Sequence, residues 1–201
     1  MLSAEAILKL HDQTTSTWHA SPQSPADSPS ADPWLALVSR QHRANFDLWH
    51  IEDEARTPGA TDAQLADVKR RIDSTNQLRN DLAEQLDRTL LDCLAPQNLP
   101  RQQAPLNSES PGLIIDRLSI LALKIYHTRE EAERRDASPQ HTERNRARLA
   151  ILEEQRADLA RCLDALWRET LAGTRRFKLY RQLKMYNDPS LNPAIYRNSP
   201  A

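Results

Sequence analysis

The chain has 201 residues, of which 39% are hydrophobic and 27% are charged, and it contains only three glycines. A chain of this length fits one domain, and so few glycines exclude the glycine-rich phosphate loops of Rossmann and P-loop proteins. The formal net charge of −1 argues against a protein whose whole surface binds nucleic acid.

Five segments combine apolar residues at three- and four-residue spacing with helix-capping residues, which predicts an all-α fold. The first is a short N-terminal helix within residues 1–19. Residues 20–33 are predicted to be a Pro/Ser-rich loop, because four prolines interrupt any helix there. The four long helices that follow begin at Asp32-Pro33, Thr61 or Asp62, Ser110-Pro111 and Ser138-Pro139, and end near Arg56, Leu94, the stretch TREEAERR and Ala172.

Short connections between the long helices predict an antiparallel bundle over residues 34–172. The helix that starts at Pro111 is apolar nearly all round, so we expect it at the centre of the bundle. Residues 173–201 are predicted to form a basic, loop-rich C-terminal segment that packs on the bundle.

Polar and ionisable side chains interrupt the apolar stripes of all four long helices. Burying an unpaired polar group costs roughly 1–3 kcal/mol, so these side chains are expected to face one another or a ligand. Such a polar hollow between helices is a common ligand site in bundles. The interrupting residues are His42, Asn45, Trp49, Glu52 and Arg56 in the second helix, Asp73, Thr75, Asn76, Arg79 and Asn80 in the third, Asp116, Arg117, Lys124 and His127 in the fourth, and Arg156 in the fifth.

These residues predict a site for a small anionic ligand, with a catalytic role left open. The four cations expected to neutralise the anion are Arg79, Arg117, Lys124 and Arg156. The candidate acid–base or orienting residues are Glu52, Asp73, Asp116 and His127. The remaining predicted ligand-binding residues are Trp49, Arg56, Asn76 and Asn80, with Lys184 and Tyr186 closing the site from the C-terminal segment.

Two alternatives remain open from the residues. The same polar groups would also serve as a buried network that fixes the register of the helices in a non-enzymatic partner or scaffold protein. The other alternative is a metal-dependent phosphohydrolase that uses Glu84 and Asp87 with Glu52 or Asp53. The Glu-x-x-His motif of di-metal bundles is missing, so we assign no metal ligands and no cofactor.

The C-terminal segment interleaves basic and aromatic side chains, which suits either a clamp on a phosphate or carboxylate or docking on the acidic surfaces of the bundle. Nucleic-acid binding by this segment is a lesser alternative, because it carries no recognised motif. The residues concerned are Arg175, Arg176, Phe177, Lys178, Tyr180, Arg181, Lys184 and Tyr186.

The expected location is the cytoplasm. The first ten residues lack a basic signal region, and no stretch approaches the roughly 20 apolar residues of a membrane span. Cys93 and Cys162 have neither metal-ligand spacing nor a disulfide framework, so we expect two free thiols in a reducing compartment. A homodimer is left open.

Several segments together resemble a bacterial family catalogued as domain of unknown function 4254. They are LWHIEDEAR, KRRIDSTNQLRNDLAEQLD, LNSESPGLIIDRLSILALKIYH, LEEQRADL and YRQLKMYNDPSLNP, in order between about residues 34 and 196. The resemblance implies a helical fold and no specific reaction. Its members are often associated with glycan or cell-envelope glycosylation genes, which favours a sugar phosphate or nucleotide sugar as the ligand.

Overall fold

The computed structural model describes residues 2–21, 32–181, 183, 190–193 and 197. Within these residues the chain forms five α-helices and no β-strand, so the predicted all-α class is confirmed. The helices are α1 (Ala4–Ala20), α2 (Pro33–Glu54), α3 (Asp62–Leu94), α4 (Pro111–Glu133) and α5 (Pro139–Leu171).

The helix starts follow from their capping residues. The side chains of Asp32, Thr61, Ser110 and Ser138 each accept a hydrogen bond from a backbone N–H in the first turn of α2, α3, α4 and α5. Three of these four caps are followed by proline at the first helical position, where no backbone N–H is needed. The predicted helix boundaries agree with the observed ones to within two residues.

Helix α4 lies at the centre of the bundle, as predicted, because it contacts each of the other four helices. Ile115, Leu118 and Leu123 on α4 are at most 1% exposed. Fully burying one such side chain is worth about 1.5–3 kcal/mol, so this helix provides much of the apolar core.

Consecutive long helices run in opposite directions. Arg71 near the start of α3 pairs with Glu54 at the end of α2, and His141 at the start of α5 bonds Glu131 at the end of α4. Helix α1 runs parallel to α2, since its residues contact α2 in rising order. The predicted antiparallel bundle is therefore confirmed. Helix α1 packs into it as a fifth helix, and its buried His11 stacks on His42 of α2.

Helices α3 and α4 approach each other closely at Gly112, which is buried in the first turn of α4. A Cβ atom at this position would collide with the backbone oxygen of Ala83 and with the carboxyl group of Asp87. The Gly112 N–H instead donates a 2.6 Å hydrogen bond to Asp87 Oδ1. Burial raises the pKa of the Asp87 carboxyl to about 6.

The first residues after α5 pack back onto the loop that precedes α4. Phe177 is 1% exposed, Arg176 Nε donates to the carbonyl oxygen of Ala104, and Asn107 N donates to the carbonyl oxygen of Arg176. None of the helices in the described part of the chain is both long and apolar enough to cross a lipid bilayer. Cys93 and Cys162 are free thiols, and both are exposed.

Candidate functional site

A buried carboxylate in the N-terminal half of α4 joins three helices. Asp116, 5% exposed, accepts hydrogen bonds from Gln41 Nε2 at 2.7 Å and Asn45 Nδ2 at 2.9 Å, both on α2. From α3, the guanidinium of Arg79 donates through Nε at 2.9 Å and Nη2 at 2.7 Å, one to each carboxylate oxygen. The four donors compensate the cost of burying the charge, and the two-pronged geometry fixes the Arg79 side chain.

A chain of polar contacts continues from Asp116 to α1. Asn45 Nδ2 also donates to Ser119 Oγ at 2.9 Å, and His42 Nδ1 lies 2.7 Å from the same hydroxyl. On its other side, His42 Nε2 is 2.8 Å from Thr15 Oγ1. We call the group of Asp116, Arg79 and these contacting side chains, together with His11, which stacks on His42, the Asp116 layer.

The two histidines of the Asp116 layer, His11 and His42, stack with ring centroids 4.4 Å apart and are both fully buried. Burial lowers the pKa of His42 to about 3 and lowers the pKa of His11 well below its ordinary value, with His42 and Arg156 adding to the effect on His11. Both rings are therefore neutral at pH 7.

A surface pocket of about 290 Å³ opens beside the Asp116 layer, between α2, α3 and α4. Arg79 lies between the pocket and Asp116, and its side chain is 25% exposed. Its remaining terminal nitrogen, Nη1, makes a long 3.4 Å hydrogen bond to Asn76. The residues lining the pocket are Asn45, Leu48, Trp49, Glu52, Asp53, Arg56, Arg79, Ile120 and Leu123.

The pocket offers cations, carboxylates and an aromatic ring in one place. Arg56 is largely exposed and pairs with Glu52 across one helical turn, Nη1 to Oε2 at 3.3 Å. Guanidinium groups donate hydrogen bonds to phosphate oxygens, whereas carboxylates accept hydrogen bonds from hydroxyl groups. The arrangement is therefore chemically suited to a ligand that carries both an anionic group and hydroxyls.

The structure brings some predicted site residues together and separates others. Trp49, Glu52, Arg56 and Arg79 line the pocket, Asn76 bonds Arg79, and Asp116 stands behind Arg79. Asp73 instead pairs with Lys69 on the outer face of α3, and Asn80 is not among the lining residues. Among the four predicted acid–base residues, only Glu52 lines the pocket.

The predicted convergence of four cations needs correction. Arg117 is exposed and bonds Glu109, and together with Lys124 it lines a separate groove between α4 and α5. Because Arg117 follows Asp116 directly, it points about 100° away around the helix, and Lys124, seven residues later, shares its side. Arg156 pairs with Asp12 of α1 at 2.6 Å. Only Arg79 among the four predicted cations reaches Asp116.

Three further predicted residues either do not line the pocket or lie outside the described part of the chain. The ring of His127 stacks on Trp49 with centroids 5.0 Å apart, on the side where α1 meets α2 and α4. Lys184 and Tyr186 lie outside the described residues.

The carboxylates of the phosphohydrolase alternative do not form a common site in the described residues. Asp87, on α3, is buried against the start of α4, where it accepts a hydrogen bond from the Gly112 N–H. Glu52, on α2, pairs instead with Arg56, and both residues line the pocket. No metal-binding group of three residues includes Glu84, Asp87, Glu52 or Asp53 among the described residues.

Sequence reasoning missed the contributions of α1 and of two small polar residues. Gln41 and Ser119 lie in the Asp116 layer, and α1 supplies His11 and Thr15 to it, with His19 near His127. The signal was present in α1, because stepping from Ile7 by threes and fours reaches buried His11, Thr15 and Trp18.

One protein family matches most of the chain. The model of a family described as "Protein of unknown function (DUF4254)" covers residues 35–179. No curated protein and no solved structure matches the chain. The matched residues include the pocket and Asp116 but leave α1 outside.

Proposed function

The chain belongs to the DUF4254 family, and from the pocket beside Asp116 we propose that it binds a small anionic ligand, with a sugar phosphate or nucleotide sugar as the favoured class. The observation that carries the proposal is the placement of Arg79. Its guanidinium is fixed by a two-pronged bond to a buried carboxylate, yet it lines an open pocket.

A fixed guanidinium is a favourable anion-binding group because the loss of side-chain entropy has already occurred on folding. Asp116 engages Nε and one terminal nitrogen of Arg79, while Nη1 makes only a long bond to Asn76. Nη1 therefore keeps donor capacity for a ligand. Arg56, also in the pocket lining, supplies a second guanidinium for the same anion.

The sugar part of the ligand follows from the other lining residues. Glu52 and Asp53 accept hydrogen bonds from hydroxyl groups, and Trp49 offers apolar ring surface for the C–H face of a sugar or for a base. If the bound ligand reacts, Glu52 is the residue placed to exchange a proton with it, since Asp116 already accepts four hydrogen bonds. We place the protein in the cytoplasm of a bacterium, where its two free thiols stay reduced.

The proposal is tested by isothermal titration calorimetry of the full chain with inorganic phosphate, glucose 1-phosphate and UDP-glucose. We expect the two sugar compounds to bind more tightly than phosphate, because hydroxyls add contacts to Glu52 and Asp53. Arg79→Lys, which keeps the charge but loses the fork, and Arg56→Ala are each expected to weaken binding about tenfold or more, the value of a charged hydrogen bond.

The matched control is Arg146→Ala, because Arg146 is an exposed arginine that pairs with Glu143 on its own helix and lies outside the pocket. It should leave the affinity unchanged. Absence of binding at millimolar concentrations of all three compounds, or equal binding by Arg79→Lys and wild type, would favour the scaffold alternative, in which the Asp116 layer serves only to fix helix register.

A further inference from the structure

Three histidines from three helices meet where α1, α2 and α4 come together. One ring nitrogen from each of His19, His50 and His127 lies within 4.8 Å of the other two. The ring centroids are 5.2 Å apart for His19 and His50, 4.9 Å for His19 and His127, and 6.1 Å for His50 and His127. We call this group the histidine cluster.

The Nδ1 atom of each ring is already engaged. His19 Nδ1 lies 2.8 Å from the carbonyl oxygen of Thr15, and His50 Nδ1 lies 2.8 Å from that of Phe46. Since a carbonyl oxygen only accepts, Nδ1 carries the proton in both rings, and Nε2 keeps a free lone pair. His127 Nδ1 is 3.0 Å from the carboxylate of Glu130, which orients that ring in the same sense.

The Nε2 atoms are therefore the ring nitrogens that remain available to bind a ligand. Those of His19 and His127 are buried and have no hydrogen-bond partner within the described part of the chain. A buried acceptor without a partner costs free energy unless a ligand satisfies it. Histidines whose Nδ1 bonds a carbonyl or carboxylate while Nε2 faces inward are the arrangement seen in metal sites.

Aromatic neighbours hold the rings in place before any ligand binds. Tyr126 stacks on His19 with centroids 4.2 Å apart, and Trp49 stacks on His127 at 5.0 Å. The ring of Phe46 lies 4.3 Å from that of His50. This support reduces the ordering that binding requires, which favours affinity.

We propose that His19, His50 and His127 together bind one divalent transition-metal ion through Nε2, with zinc as the best fit. This inference does not rest on the proposed anion pocket. Imidazole nitrogens suit zinc, copper and nickel, whereas magnesium and calcium prefer oxygen ligands. Tetrahedral zinc with bonds of about 2.0–2.1 Å places ligand nitrogens about 3.3 Å apart, so a pair 4.8 Å apart closes by about 1.5 Å.

The site would leave one coordination position for water. His19 and His50 both line a surface pocket of about 470 Å³, which gives solvent access to the cluster. The cations of that pocket are paired, Arg43 with Asp47 and Arg71 with Glu54, so they do not oppose a metal ion as free charges. Three histidines plus an open position is the ligand set of catalytic rather than structural zinc sites.

The test measures metal binding by the full chain, produced without a polyhistidine tag and freed of metal with a chelator. Equilibrium dialysis against Zn²⁺ is expected to give one ion per chain, and Co²⁺ is expected to give the intense visible bands of four-coordinate geometry. His50→Gln, which removes one ligand, should weaken Zn²⁺ binding by about a hundredfold or more, and Glu130→Gln, which alters only the support of His127, by about 10–100-fold.

The control variant is His141→Gln, because His141 is also a half-buried histidine that bonds a glutamate, Glu131, but lies outside the cluster. It should bind Zn²⁺ as tightly as wild type. Circular dichroism checks that each variant is folded, and Zn²⁺ should raise the melting temperature of wild type but not of His50→Gln.

Less than one ion per chain at saturating Zn²⁺, or equal affinity of His50→Gln and wild type, would overturn the proposal. Its failure is distinct from failure of the anion pocket, because His50 is not among the residues that line that pocket. Glucose 1-phosphate binding to the same preparations gives the separate readout.

Discussion

The Asp116 layer and the histidine cluster share helices α1, α2 and α4 but differ in what holds their polar side chains in place. In the Asp116 layer, one carboxylate accepts four hydrogen bonds, and the charge of Arg79 is balanced by it. In the histidine cluster, two ring nitrogens are buried without a hydrogen-bond partner in the described residues.

This difference separates two uses of polar groups inside a bundle. The four hydrogen bonds to Asp116 hold its geometry, so this carboxylate supports the fold and fixes Arg79 beside the pocket. Gln41 Oε1 and both ring nitrogens of His11 are nevertheless buried without a hydrogen-bond partner among the described residues. The unpartnered ring nitrogens of the histidine cluster gain most from binding a ligand. Stability measurements should therefore respond strongly to changes in the first region and weakly to changes in the second.

The largest effect is expected for Asp116→Ala. The substitution leaves the Arg79 charge and the amides of Gln41 and Asn45 without their acceptor. The free energy of unfolding should fall by about 3 kcal/mol. This value is at the low end for breaking a buried ion pair, because Arg79 is partly exposed. Urea unfolding measures it. Glu109→Ala, which breaks an exposed pair with Arg117, should cost about 0.5 kcal/mol or less. Equal losses would contradict the assigned role.

Acid is expected to destabilise the protein through His11 and His42. Their folded-state pKa values lie below 6.5, so the unfolded chain takes up protons first as the pH falls, and stability present above pH 6.5 is lost toward pH 3. Together the two histidines should lower the free energy of unfolding by about 2 kcal/mol between pH 7 and pH 5.5. His11→Phe, which keeps the stacked ring, should roughly halve that slope in urea unfolding. An unchanged slope would show that the buried pair does not control it.

Asp87 gives a smaller effect of opposite sign. Its folded-state pKa of about 6 exceeds the ordinary value of 3.8, so the folded state binds more protons between these values and the stability contribution falls as the pH rises through them. Asp87→Asn keeps an oxygen for the Gly112 N–H and should stabilise the protein by about 1 kcal/mol at pH 7.5. The gain should vanish at pH 4. Destabilisation at pH 7.5 would show that the carboxylate is needed at the helix start.

The smallest effect is expected for His50→Gln in metal-free protein. The substitution removes a half-buried ring and one hydrogen bond to a carbonyl, so the free energy of unfolding should change by no more than about 1 kcal/mol. Thermal unfolding without metal measures it. A loss as large as that of Asp116→Ala would show that the histidine cluster is a structural network as well.

The helices were predictable because their ends depend on local chemistry. Asp32, Thr61, Ser110 and Ser138 accept backbone N–H groups within their own first turns, and that pattern is legible without the rest of the fold. The central place of α4 followed likewise from its apolar surface.

The composition of the site was only partly predictable. Arg79 and Asp116 were found because both interrupt apolar stripes, but Arg117 and Lys124 were placed with them although they lie on the side of α4 that faces α5. Stripe spacing shows that two residues share a face but does not show which neighbour that face meets. The buried stripe of α1 through His11 and Thr15 was present in the sequence, but which helices it contacts was not predictable for the same reason.

The contact at Gly112 has a consequence for related sequences. Because no side chain fits there, position 112 sets the spacing of α3 and α4, and the fork between Arg79 and Asp116 spans those same two helices. Relatives that keep an arginine and an aspartate at these two positions should therefore keep glycine at the third. A relative with a larger residue there must hold its helices farther apart, and the three positions should change together during evolution.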